Sequence, residues 1–143
     1  MLKKIALLIL VLCLMKTGKA QGTTAEKDQL SAVPNDYELS ANQYADWKNV
    51  MNVWNAGEYE KIKFEYKVNM SCKTCNAFYI DVLIKVNASG KMEYYKFIDG
   101  KKCGRALTKA EELRMMKFFF KCDIPASLWN TTFKTRLGST LKC

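Results

Sequence analysis

Residues 78–98 read Phe-Tyr-Ile-Asp-Val-Leu-Ile-Lys-Val, then Asn-Ala-Ser-Gly-Lys, then Met-Glu-Tyr-Tyr-Lys-Phe-Ile. Phe78, Ile80, Val82, Ile84 and Val86 alternate with Tyr79, Asp81, Leu83 and Lys85. A period of two is that of a strand with one face in a core. Asn87 to Gly90 supplies turn chemistry, with a glycine free to take positive φ. Met92 to Ile98 then returns as a second strand, ended by Asp99-Gly100. Two strands joined by a short turn define an antiparallel hairpin, and the rest of the fold is read outward from it.

Before the hairpin, Ile62, Phe64, Tyr66, Val68 and Met70 alternate with Lys61, Lys63, Glu65, Lys67 and Asn69. The spacing predicts a further strand over 61–70 with one basic, wet face. Further upstream, Tyr44, Trp47, Met51 and Trp54 follow a helical period, with Val50 beside them. Ser40 and Gln43 form a capping box ahead of this stripe, so a helix is expected over 41–56, stopped by Gly57. Trp47 and Trp54 are expected in its buried stripe. After the hairpin, Thr108 and Glu111 form a second capping box. They open a helix expected over 109–121, with Leu113, Met116 and Phe120 inward, Ala110 and Phe119 widening that face, and Asp123-Ile124-Pro125 as its break. Residues 131–142 read as a last strand. The expected class is α+β: a mostly antiparallel sheet of about four strands, one helix packed on it and an additional N-terminal helix, in the order α-β-β-β-α-β.

At 143 residues, 49% apolar and 26% charged, the chain is sized for one globular domain, placed over residues 38–143. Residues 1–20 read as a signal peptide. Lys3 and Lys4 precede an eleven-residue apolar run, and Gly18 and Ala20 place a cut before Gln21. The run is too short to span a bilayer, and no other long apolar run follows, so no membrane span is expected. Leu12 ahead of Cys13 departs from the small residue that lipid attachment requires. Residues 21–37 are polar and aperiodic, a mobile lead-in. The expected address is periplasmic or secreted. Loss of four signal lysines leaves 19 basic against 14 acidic residues, a mature charge of +5.

Histidine is absent, which excludes Ser-His-Asp and Cys-His catalysis and any imidazole-ligated metal. No Gly-rich phosphate loop or GxSxG elbow occurs, and the carboxylate pairs are poor, Glu111-Glu112 opening a helix where acids complement the dipole, so neither an enzyme nor a cofactor is expected. Export makes disulfides the default for the five cysteines of the mature chain, Cys72, Cys75, Cys103, Cys122 and Cys143. Cys103 or Cys143 is expected to bridge back to the Cys72/Cys75 loop, because links between separate elements suit disulfide geometry better than a Cys72–Cys75 ring. Five is odd, and terminal Cys143 is the first candidate for an intermolecular bridge, hence a disulfide-linked dimer. The Cys72-Lys73-Thr74-Cys75 spacing also allows thiol redox chemistry or a zinc knuckle. The first needs a helix N-terminus that the pattern does not place there, and the second usually needs another CxxC.

Basic residues gather downstream of residue 60. Lys61, Lys63, Lys67, Lys101, Lys102, Arg105, Lys134 and Arg136 are the candidates for contact with a partner, an envelope protein or an acidic surface component. The bland alternative is a solvated surface. Nucleic acid does not suit an exported chain. Asp81, inside a strand, has no evident partner in the sequence.

From Ile80 to Leu141 the chain resembles the C-terminal domain of TonB-type energy transducers. The features carrying the likeness are IDVLIKV, the NASGK turn, MEYYKFI, a helix opening Leu107-Thr-Lys-Ala-Glu-Glu-Leu113, then Ile124-Pro125-Ala126 and the closing TTFKTRL. The resemblance implies a ββαβ periplasmic domain that touches envelope proteins by edge-strand pairing. The chain departs from that family in lacking the retained N-terminal anchor and the Pro-rich linker. The expected function is an exported, disulfide-stabilised, non-catalytic binding module of the bacterial envelope. The alternatives are a thiol redox or zinc protein using Cys72 and Cys75, and a secreted inhibitor or toxin-like protein.

Overall fold

The computed structural model describes residues 29–143. The expected signal peptide and its cut before Gln21, Cys13 and the first part of the expected lead-in lie outside the described residues. The chain divides into Met1–Ala32 and Val33–Cys143, and the second unit carries the fold. It is α+β. Helix α1 (Ala41–Trp54) runs through a π-helical turn (Asn55–Tyr59) into α2 (Glu60–Glu65). Strands β1 (Ala77–Val86), β2 (Met92–Lys102) and the two-residue β3 (Arg105–Ala106) follow, then α3 (Lys109–Met116) and β4 (Thr132–Thr140). The sheet is antiparallel, in the order β3-β2-β1-β4. Among the described residues, no helix is long and apolar enough to cross a membrane.

The hairpin forms as its alternation dictates. Phe78, Ile80, Val82, Ile84 and Val86 are all fully buried on the helix-facing side of β1. The Asn87 side chain accepts from the Ser89 and Lys91 amides at 2.9 and 3.0 Å, which closes the turn. In β2 the register slips twice against β1, leaving Ile98 and Glu93 without opposite residues. Such bulges bend a strand and increase its local twist.

Residues 61–70 do not form the expected strand. The helix begun at Ser40 passes Gly57 and ends only at Lys67, so α2 occupies that stretch. The cause is the core. Trp54 and Tyr59 are both buried and stack with ring centroids 5.0 Å apart. An α-helix would carry Gly57 or Glu58 under Trp54, three or four residues on. One wider π turn instead brings Tyr59, five residues on, into the stripe. Ile62 and Tyr66 then continue the stripe at helical spacing, Ile62 fully buried, while Phe64 is left 88% exposed. The chain stops at Lys67, whose φ of 53° is left-handed. The Lys67 amide donates to Phe64 O and the Val68 amide to Lys63 O at 2.8 Å, the bonding of a Schellman terminus without its usual glycine.

Helices and sheet meet in one apolar layer. Trp47 and Trp54 are buried, as the stripe predicts. Phe119, just after α3, lies 5.8 and 5.6 Å from their rings, and Phe133 of β4 meets Trp47 edge-on at 4.9 Å. The inward face of α3 is Met115, Met116 and Phe119; Leu113 and Phe120, expected inward, are about half exposed. The helix is also shorter than expected, because residues 117–121 turn irregularly and no longer follow the α period. Strand β4 ends at Thr140, short of the expected 142, and Leu141 just past it is partly exposed.

Tyr59 also fastens the layers. Its hydroxyl donates to Phe78 O at 2.6 Å and accepts from the Ser139 amide at 3.2 Å, sitting between β1 and β4 in place of a ladder bond. Gly138, at φ 105°, makes room: a Cβ there would run into Phe78 O.

Candidate functional site

The sheet order explains the cysteines. The loop before β1 closes on itself, with Ser71 and Cys75 exchanging backbone hydrogen bonds of 2.9 and 3.0 Å. Because β1 lies between β2 and β4, the end of β2 and the end of β4 both arrive beside the start of β1. The Cys103 amide donates to Ala77 O, and the Leu141 amide donates to Asn76 O, both at 2.8 Å. Cys75 is thereby bonded to Cys103, and Cys72 to Cys143. Both bridges join the loop to other elements, as expected from the sequence. The expected intermolecular role of Cys143 is corrected: it closes an internal bridge, and among the described residues the free cysteine is Cys122. Cys122 is half-buried near Phe119, and burial pushes its thiol pKa up, away from the reactive thiolate. Cys72 and Cys75 are each committed elsewhere, so the CxxC holds two structural links rather than one redox pair. Among the described residues, no group of three or more His, Cys, Asp or Glu is arranged to hold a metal.

The eight basic candidates do not form one surface. Lys61, Lys63 and Lys67, expected on a wet strand face, lie on α2 or at its end. Lys61 pairs with Glu58 at 3.0 Å, and Lys63 with Glu60 at 2.6 Å. Lys102 and Arg105 converge on Glu111 at 2.7 and 2.6 Å. Lys101, Lys134 and Arg136 share the sheet face turned away from the helices, since their register partners are Tyr79, Leu83 and Asp81. Lys85 and Tyr94 belong to that face by the same alternation.

Asp81, unpartnered in the sequence, is held by Arg136 across the β1/β4 pair. Arg136 Nε and Nη2 each donate to one carboxylate oxygen at 2.7 Å. The same guanidinium lies over the Tyr79 ring, 3.9 Å from its centroid. The bidentate carboxylate raises the Arg136 pKa. Burial, and then Asp99, raise that of the Tyr79 phenol.

Two further features were not legible as site residues. Glu111 and Glu112, which open α3, are nearly buried. Glu111 accepts from Arg105, Lys102 and the Thr108 amide, and the hydrogen bonds from Arg105, followed by those from Lys102, hold its carboxyl far below the usual carboxylate range. Glu112 accepts from Tyr95 at 2.9 Å and Lys109 at 2.6 Å. These bonds fasten α3 to β2 and β3. The capping box accounts for Glu111, but only folding brings Lys102 and Arg105 to it.

The other is the strap of residues 34–38, the end of the stretch read as a lead-in. Lys134 N donates to Pro34 O at 2.8 Å, and Asn35 bridges Lys134 in parallel at the β4 edge. Trp47 Nε1 donates to Thr135 Oγ1 at 3.1 Å, and that hydroxyl donates to Asp36 at 2.6 Å. A groove of about 380 Å³ opens beside the strap, lined by strap residues 35–37, by Asp81 and Ile98, and by β4 residues 134–136. No known family model, curated protein or solved structure matches the chain.

Proposed function

We propose that the protein is an exported, disulfide-stabilised binding module of the bacterial envelope that makes contact with another protein or an acidic envelope component and catalyses no reaction itself. The observation that carries the reading is the sheet face opposite the helices. It is a firm platform, anchored by two disulfides at one end, and it bears Lys101 and Lys134, beside Lys85 and Arg136, which pair with Glu93 and Asp81. A positive surface of this kind draws an acidic partner by long-range attraction. The reading includes the TonB-type likeness, with which the order β1-β2-β3-α3-β4 is compatible, the two-residue β3 being an addition. Edge pairing is the contact mode it implies. Strand β3 covers only Lys101 and Lys102, so the rest of that β2 edge has no strand partner among the described residues.

Capture from an envelope fraction by the wild type and by a Lys101→Glu/Lys134→Glu variant tests the proposal. Partners retained by the wild type in low salt should be lost by the variant at unchanged folding. Capture indifferent to both charge reversals would refute the role of this face.

A further inference from the structure

The groove beside the strap differs from the rest of the molecule in its charge. The chain as a whole carries +9, yet the groove is lined by two acids, Asp36 and Asp81, and two bases, Lys134 and Arg136. Its net charge is zero. Asp81 and Arg136 neutralise each other through two hydrogen bonds, and Asp36 is already engaged by the Thr135 hydroxyl. A highly charged ligand gains little there. What remains at the walls is an alternation of donors and acceptors: carboxylate lone pairs, the Arg136 Nη1 edge and the Lys134 ammonium.

The same lining offers apolar surface. Ile98, the bulged residue of β2, contributes to it, and Tyr37 stands on the strap with 67% of its surface exposed. With no hydrogen bond holding it among the described residues, the Tyr37 ring offers an open face for stacking. The strap is pre-shaped for that role. The Glu38 carboxylate accepts from the Asn35 amide at 2.6 Å and its side chain at 2.8 Å, capping the short turn Asp36–Glu38 that carries Tyr37. The relay from Trp47 through Thr135 to Asp36 ties this turn to the core. Pre-formed geometry lowers the ordering cost of binding.

We propose that this groove binds an uncharged saccharide unit of one or two rings, stacked on Tyr37, with its hydroxyls shared among Asp36, Asp81, Arg136 and Lys134. A sugar ring presents an apolar C–H face and a rim of hydroxyls that both donate and accept, which is the complement of this lining. The volume, about 380 Å³, falls in the range of small-ligand sites, roughly 300–1,000 Å³. The inference goes beyond the contact surface above, because it names a ligand and a place that do not depend on the chain's positive charge.

Saturation-transfer NMR on the exported, disulfide-bonded protein tests it, with maltose, cellobiose and N,N′-diacetylchitobiose as probes. At least one should bind with a Kd on the order of millimolar, and the affinity should change little with salt. Tyr37→Ala should weaken that binding about tenfold or more. Tyr37→Phe should retain most of it, and Phe64→Ala, on α2, should leave it unchanged. The proposal is overturned if none of the three sugars gives transfer, if Tyr37→Ala binds as the wild type does, or if glucuronate binds where the neutral sugars do not. Capture of a partner through Lys101 and Lys134 would survive any of these results, so the two readings fail separately.

Discussion

Gly57 sits where the sequence suggests a helix ends and where the structure shows that it continues. Replacing it by alanine separates the two. Within a continuous helix, alanine is favoured over glycine by about 0.8–1.0 kcal/mol. A Cβ at Gly57 meets nothing within 4 Å, so no steric term offsets the gain. Gly57→Ala should therefore stabilise the protein by about 0.5–1 kcal/mol. Were Gly57 a left-handed cap, alanine would cost about 1–2 kcal/mol. The mirror-image change is Lys67→Gly. Lys67 is the residue that holds positive φ, and relieving its Cβ should add roughly 0.5–1 kcal/mol after the extra entropy of the unfolded chain. Guanidinium denaturation of the disulfide-bonded protein is the assay. With m on the order of 4 kcal/mol/M, each midpoint should rise by about 0.1–0.25 M. A fall in the midpoint for Gly57→Ala would refute the continuous helix and the π turn that lets Tyr59 reach Phe78.

The two tryptophans should respond differently to phenylalanine. Trp54 Nε1 is buried without a hydrogen-bond partner, whereas Trp47 Nε1 donates to Thr135, so Trp47→Phe should cost about 1 kcal/mol more than Trp54→Phe by denaturant titration; equal costs would count against the Trp47–Thr135–Asp36 relay. Glu111 has its pKa lowered in the folded protein from a reference of 4.5. Its contribution is therefore full above that reference and is lost as pH falls through the folded value, and Glu111→Gln should lower neutral-pH stability while flattening the acid limb of a stability–pH profile. Non-reducing peptide mapping should join Cys72 to Cys143 and Cys75 to Cys103, leaving Cys122 as the thiol that titrates under denaturation. Cys72→Ser/Cys143→Ser, which opens the link of sequence separation 71, should cost roughly 4 kcal/mol.

The hairpin of residues 78–98 was legible because its information is local: a period of two on either side of a turn that Asn87 closes by itself. Both capping boxes were legible for the same reason. So was the buried stripe of Trp47 and Trp54, since burial at helical spacing needs no knowledge of what covers it. Residues 61–70 show where local reading fails. Their alternation matches a strand, yet only Ile62 is fully buried and Phe64 is bare, because the preceding helix needed Tyr59 under Trp54 and carried its own course past Gly57. That preference belongs to the core and is invisible in a ten-residue window. The cysteines divide in the same manner. Cross-linking between elements follows from composition and spacing, but the partner of Cys143 depends on β4 lying beside β1, a pairing between residues about fifty to sixty apart in the chain. The Asp81–Arg136 pair and the strap groove depend on that same strand order. Sequence alone determined which segments were amphipathic and where the chain could turn. The tertiary structure decided which faces met, because long-range burial outweighs local propensities of a few tenths of a kcal/mol per residue.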